Sequence, residues 1–586
     1  MRIVIDTDVA VPMTDGTLLR ADVYRPDERA PSPALLQRLP YDKADLVSVL
    51  YTLDVMRAVR AGYVVVVQDT RGRYASEGTF TPFVHESSDG VDTIAWVAGQ
   101  PWCDGRVGMF GGSYVGATQW LAAAGAPPAL RAFAPALTAA DYHEGWTYVG
   151  GALALGFALR WAYASLALGE LDRRVGQGSA SVEQLLAFAV EAHGADALHT
   201  RLPLTDVPAL DDLAPYYADW VSRARYDGRW RALAPRSHHT GIVAPACNIG
   251  GWYDLFLGGT LDNYTGMRGE GGSPRARTLQ RLIVGPWSHS VHGGAFADRD
   301  YGAFAGVDDA DLTGMQLRWF DHVLRGDDNG ADRDAPVRVF VMGDDVWRDA
   351  QDWPLPDTRW VDLYLHSDGH AGDTGGGLST GPPDDEPGDT FRYDPRDPVP
   401  TVGGATYLRG AGVGANAGPR DRRSVERRRD VLTYTTAPLD EPVQVIGPVR
   451  MTVFVSTSAV DTDITGALVD VHPDGRAELL TDGILRARYR DSLELPTPLQ
   501  PGRVHELQVD LCATANTFRA GHRIRVEVSS SNFPRFDRNP NTGGDIALTT
   551  PDQLVVATST VHHDRRHPSR VTLPVIEPDV IRRTAP

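Results

Sequence analysis

The sequence predicts two kinds of domain in one chain: an α/β domain interrupted by a helical cap, followed by an all-β domain of the sandwich or jelly-roll type. Three observations carry this reading. Short apolar strands alternate with helical stretches up to about residue 140, alanine- and leucine-rich helical segments take over until about 240, and strands then resume. Past about residue 353 many short alternating strands follow one another, separated by Gly, Pro, Asp and Asn. At 586 residues the chain is too long for one hydrophobic core, so the expected division is 1–140 and 241–352 for the α/β domain, 141–240 for the cap and 353–586 for the β domain.

Taken in order, the amino-terminal segment alternates apolar and polar residues around Asp15-Gly16, as a β-hairpin does. "YVVVVQD" (63–69) reads as a buried strand and "VDTIAWVAG" (91–99) has helical spacing. "RVGMFGGS" is a strand running into a turn. "GALALGFALRWAYASLALGELDRR" and "SVEQLLAFAVEAHG" are helical and belong to the cap. "GIVAPACNIG" (241–250) and "RLIVGPW" (281–287) return to strand. The Gly-, Pro- and Asp-rich stretch 367–400 predicts a long surface loop, and "RRSVERRR" (422–429) a solvated charged segment. The alternating runs "VQVIGPVRMTVFVSTS" (443–458), "HELQVDLCA" and "RIRVEVSSS" are the strands of the last domain.

Composition narrows the function. A net charge of −19 argues against a nucleic-acid binder, because phosphate recognition needs a basic face. Cys103, Cys247 and Cys512 are few and far apart, which suggests neither a disulfide framework nor a thiolate metal site. Neither a charged leader with an apolar run nor a stretch of about twenty apolar residues occurs, so the expectation is a soluble, cytoplasmic protein that does not engage a membrane. "GDDNGADRD" (326–334) is acidic but lacks the spacing of a calcium loop, and no phosphate loop or flavin motif is present; no metal or cofactor is expected.

The chemistry centres on "MFGGSYVGATQW" (109–120), where Ser113 stands between a strand and a helix. A serine there is lifted above the sheet edge, and the helix amino terminus offers free N–H groups to a developing oxyanion. The spacing departs from G-x-S-x-G by one, with Val115 in place of the last glycine, so a structural serine in a tight corner is the competing reading. A triad on this architecture runs Ser, then Asp or Glu, then His, each at the end of a later strand. Asp254 in "NIGGWYDLFLGG" and His289 in "IVGPWSHSVHGG" supply that order. Asp254 alone could be a turn residue, and His289 competes with His292 and with His238-His239, whose position suggests an exposed loop. All three at strand ends in the right order is the stronger signal.

With these residues in place, the chain resembles the α/β-hydrolases that include cocaine esterase, α-amino-acid ester hydrolases and X-prolyl dipeptidyl peptidases. Their nucleophile motif G-x-S-Y-x-G is present as Gly111-Gly112-Ser113-Tyr114-Val115-Gly116. "RLPYDK" (38–43), "QDTRGRYASEG" (68–78), "GGWYD" (250–254), "GPWSH" (285–289) and "NFPRFDRNPNTG" (532–543) also resemble family blocks, spread over most of the chain including its jelly roll. The resemblance implies a serine hydrolase acting on a small-molecule ester, with Tyr41 donating its hydroxyl to the oxyanion and the Tyr114 backbone N–H as second donor. It implies pocket aromatics at Trp146, Trp161 and Phe256, although aromatics at such spacing are ordinarily core. Arg38 and Lys43 are expected to brace the Tyr41 loop, and Asp69 and Arg71 to pair. "PWCDG" (101–105) departs from the pattern at Cys103 and Asp104, a matter of packing. Peptidase or amino-ester activity would need carboxylates converging on the pocket; Asp141, Glu144, Glu170 and Asp172 are available but read as surface charge. Self-association into a homo-oligomer is left open.

Overall fold

The structure, a computed structural model, describes residues 2–27, 30–408 and 416–576. A ten-stranded sheet forms the first domain: β1 (Ile3–Pro12), β2 (Leu18–Pro26), β3 (Ser32–Leu39), β4 (Val64–Asp69), β5 (Cys103–Gly112), β6 (Leu130–Ala136), β7 (Cys247–Tyr253), β8 (Arg281–Ser288), β9 (Val337–Val341) and β10 (Val346–Ala350). Their spatial order is β1-β2-β4-β3-β5-β6-β7-β8-β9-β10. The inner strands from β4 to β9 are parallel, and the hairpins β1–β2 and β9–β10 close the two edges.

Every residue of β4 is buried, as expected for a strand covered on both faces, which reads as one apolar run. Helix Glu86–Ala98 packs beside helix Tyr114–Ala124 on one face. The chain leaves β6 into the cap, a small hairpin and helices between Tyr148 and Leu233, and re-enters the sheet at β7. Strand β7 starts at Cys247 rather than 241; Pro245 lacks the N–H a ladder needs, and only a single bridge at Ala246 precedes it.

The second sheet contains twelve strands, dominated by the long antiparallel pair Val443–Thr457 and His505–Phe518. One hydrophobic cluster runs from Val337, Val339 and Phe340 of β9 through Trp252 and Tyr253 of β7 into the interior of the β domain. Tyr253 donates its hydroxyl hydrogen bond to the Leu479 carbonyl at 3.2 Å, so the β domain braces the residue immediately before Asp254.

Four local expectations are corrected. "RRSVERRR" is not solvated throughout: Arg422 is buried against Glu527 at 2.7 Å, and Glu426 accepts from Arg525. The 367–400 loop is broken by strands Gly376–Ser379 and Asp389–Tyr393. Asp69 and Arg71 do not pair; Asp69 faces Lys43 at 3.4 Å, while Arg71 chelates Asp89 and reaches Asp15. Asp141 is buried, not surface charge, and is held by Arg236 at 2.8 Å and by Tyr226. Among the described residues no helix is long and apolar enough to cross a membrane.

Candidate active site

β5 delivers Ser113 into a left-handed backbone conformation, φ 62° and ψ −128°, and helix Tyr114–Ala124 begins at the next residue. A non-glycine residue rarely adopts such angles, and the turn holds because its neighbours leave room. A Cβ on Gly111 would lie 2.3 Å from Val115 Cγ1, and one on Gly116 2.7 Å from Thr138. That second contact explains the displaced glycine of the motif: the close approach to β6 falls at 116, where the helix crosses Thr138.

The three predicted residues meet above the carboxyl ends of β5, β7 and β8. His289 Nε2 stands 3.0 Å from Ser113 Oγ, and His289 Nδ1 2.6 Å from Asp254 Oδ2. Asp254 Oδ1 accepts the Phe256 N–H at 2.8 Å, which leaves Oδ2 for the imidazole. Both the His289 and Asp254 side chains are nearly inaccessible. In the neutral tautomer with Nδ1 protonated toward Asp254, Nε2 is the acceptor for the serine proton. His292 packs against the Tyr51 ring, and burial, reinforced by neighbouring His289, pulls its pKa down to about 4. His239 is buried on Asn263, not in an exposed loop.

Tyr41 lies at the end of β3 and faces the Ser113 hydroxyl; its oxygen accepts from Trp161 Nε1 at 3.0 Å. Burial raises its pKa far above the ordinary phenol value, so it holds its proton and can donate. The Tyr114 side chain is turned away, donating to Glu86 Oε1 and accepting the Phe83 N–H, and Glu86 in turn meets Arg38. The Tyr114 backbone N–H, as the first of a helix, has no intrahelical partner. Lys43, bonded to Asp8 and near Asp69, and buried Arg38 brace this loop.

A cavity of about 300 Å³ opens over Ser113 and His289, walled by Phe157, Trp161, Tyr51 and Tyr407. Of the predicted pocket aromatics, Trp161 faces the cavity. Trp146 and Phe256 do not: they stack on each other at 4.1 Å one layer behind, with Phe256 edge-on to the His289 ring. Phe157 and Tyr407 had no sequence signal, because they arrive from the cap and from a loop of the β domain through tertiary packing. Among the described residues no carboxylate lines the cavity. Glu170 is engaged by Arg173 and Arg174, and Glu144, whose pKa burial lifts to about 7, accepts the Gly150 N–H.

Asp470, His472 and His522 on the β domain place ligand-type atoms within 4.8 Å of one another. Arg476 already stands 3.1 Å from both ring nitrogens of His472 and against Glu478, so a guanidinium supplies the positive charge there.

With this geometry established, comparison with known proteins is direct. Residues 15–291 match the family model of the X-Pro dipeptidyl-peptidase (S15 family), and residues 329–572 that of the X-Pro dipeptidyl-peptidase C-terminal non-catalytic domain. A cocaine esterase from Rhodococcus sp. (strain MB1 Bresler) is 43% identical over 97% of this chain and 98% of its own. The chain belongs to this family. It is a serine ester hydrolase with an α/β-hydrolase domain and a carboxy-terminal β domain. The crystal structure of an aminopeptidase from the marine sediment archaeon Thaumarchaeota archaeon superposes with a TM-score of 0.82 at 25% identity, covering 98% of this chain and 96% of the other. An α-amino-acid ester hydrolase superposes at 0.80 and 26% identity with the same coverage.

Proposed function

We propose that the protein hydrolyses small carboxylic esters with a flat, apolar acyl group through an acyl-enzyme on Ser113. His289 takes the serine proton as the oxygen attacks the ester carbonyl, and Asp254 holds the imidazole and steadies its cation. The tetrahedral oxyanion sits between the Tyr41 hydroxyl and the Tyr114 N–H. His289 then passes its proton to the departing alcohol, and water repeats the sequence on the acyl group. We place the reaction in the cytoplasm, in keeping with three unpaired cysteines.

The observation that carries the ester reading is the character of the cavity: aromatic walls and, among the described residues, no carboxylate that could bind the free ammonium of a peptide or amino ester. Hydrolysis of p-nitrophenyl acetate, p-nitrophenyl butyrate, phenyl benzoate and Gly-Pro-p-nitroanilide tests it. Turnover of the esters, with phenyl benzoate favoured in kcat/KM and the anilide untouched, is the expected result. Preferential cleavage of the anilide would make the enzyme a dipeptidyl peptidase.

A further inference from the structure

We propose that Arg73 is a positioning residue for the reaction, fastening the loop that carries Tyr41 to the turn of the cap that carries Trp161. The proposal rests on the reading of Tyr41 as oxyanion donor. Arg73 is 1% exposed, and among the described residues no carboxylate lies within ion-pair distance of it. Glu170 acts on this cation only at longer range, and a buried cation without a direct ion pair is costly, so its other contacts must compensate. Its Nε donates to the Pro40 carbonyl at 2.9 Å, one residue before Tyr41. One terminal nitrogen, Nη1, donates to the Leu166 carbonyl at 3.2 Å, and the guanidinium lies 5.1 Å from the Phe80 ring centre, within cation–π range.

Leu166 belongs to a π-helical turn, Trp161–Ala167, in which the backbone ladder is widened. Arg73 gives this irregular turn a fixed partner outside the cap. The same turn begins with Trp161, whose indole N–H can only donate and does so to the Tyr41 oxygen. With that acceptor site filled, the Tyr41 proton is left to point at the reacting carbonyl. Arg73 thus reaches Tyr41 twice, through the Pro40 backbone and through the turn that presents Trp161. The second terminal nitrogen, Nη2, has no hydrogen-bond partner among the described residues and abuts Gly169, where a Cβ would stand only 2.4 Å away. The glycine keeps the space the guanidinium occupies.

The test is a double-mutant cycle on p-nitrophenyl butyrate with the full chain. Arg73→Leu is expected to lower kcat about tenfold with KM within about twofold, the mark of a misplaced transition-state contact. In the Tyr41→Phe background the same substitution should change kcat by less than about twofold, because the group it positions is already gone. A purely structural role would instead multiply the two losses, and that result, or an unchanged kcat in Arg73→Leu, overturns the proposal. Should Arg73→Leu fail to fold, Gly169→Ala replaces it: a single methyl displaces the guanidinium while keeping its charge. It must lower kcat in the wild type and not in Tyr41→Phe, and equal effects in both overturn the inference. A Tyr41→Phe enzyme of full activity would be a separate outcome, removing the oxyanion reading itself.

Discussion

Among the described residues, two places hold a serine, a histidine and a carboxylate in the same chain of hydrogen bonds. At the sheet edge these are Ser113, His289 and Asp254, at 3.0 and 2.6 Å. On the β domain they are Ser379, His366 and Glu386, at 3.0 and 2.8 Å. The pairwise distances scarcely distinguish the two; the surroundings do. His366 Nε2 also lies 3.1 Å from the Gly381 carbonyl, so Ser379 shares that nitrogen with a second neighbour, whereas His289 Nε2 faces Ser113. No helix follows Ser379, whereas Ser113 sits in a strained turn with a helix amino terminus behind it. His366 and Glu386 are 25% and 23% exposed, against 6% and 0% for His289 and Asp254. Three hydrogen-bonded residues make a triad only when the histidine nitrogen is vacant, the oxyanion has donors and water is displaced by a pocket.

The sharpest way to break this comparison is Ser113→Ala, expected to lower kcat by at least ~10⁴-fold and leave no second esterase behind. Ester turnover surviving in that variant would hand the chemistry to another serine. Asp254→Asn comes next, with a loss of about 10³–10⁴, because the amide no longer fixes the tautomer that leaves Nε2 free. Tyr41→Phe follows at about 10²–10³ in kcat, the usual effect of deleting one oxyanion donor. Measured on p-nitrophenyl butyrate, these three should rank in that order, and a Tyr41→Phe loss equal to that of Asp254→Asn would contradict the division of roles.

What could be read from the sequence follows the same division between local and assembled features. Ser113, Asp254 and His289 were legible because each occupies the end of a strand whose apolar run is contiguous in the chain, and the order of those ends is set by the topology. The position of Gly116 carried a packing constraint that sequence spacing alone records only as an anomaly. The aromatic wall was less legible: Trp146, Trp161 and Phe256 share one signal, yet Trp161, at the start of a π-helical turn, lines the cavity while Trp146 and Phe256 stack on each other behind it. Phe157, Tyr407 and Arg73 had no local signature, since their roles arise from contacts between segments 33 to hundreds of residues apart. Charge runs misled for a related reason. Whether Arg422 is solvated depends on Glu527, a partner 105 residues away.

The smallest expected effect is also the one that best sharpens the contrast between the two clusters. Ser379→Ala should leave ester hydrolysis within about twofold of wild type, as a surface substitution remote from the cavity does. The β-domain cluster has a different output, which is stability. Beside Glu386 lies His563, buried, with Nε2 2.8 Å from Asp389. Burial alone would lower the His563 pKa, but the hydrogen bond and charge of Asp389 outweigh it and raise the value; burial would likewise raise Asp389, and the His563 bond and its other donors bring it below the ordinary carboxylate range. A histidine held above its unfolded value of about 6.5 stabilises fully below that pH, and its contribution fades as pH rises through the folded value. Asp389 works in the opposite sense, contributing above about pH 4 and losing its share in stronger acid. His563→Asn should therefore lower the melting temperature by about 2 °C or more near pH 5.5, by progressively less toward pH 9, and leave kcat unchanged throughout. A melting-temperature gap that is constant with pH would show that His563 acts by packing alone, and a fall in kcat would tie this second cluster to the chemistry after all.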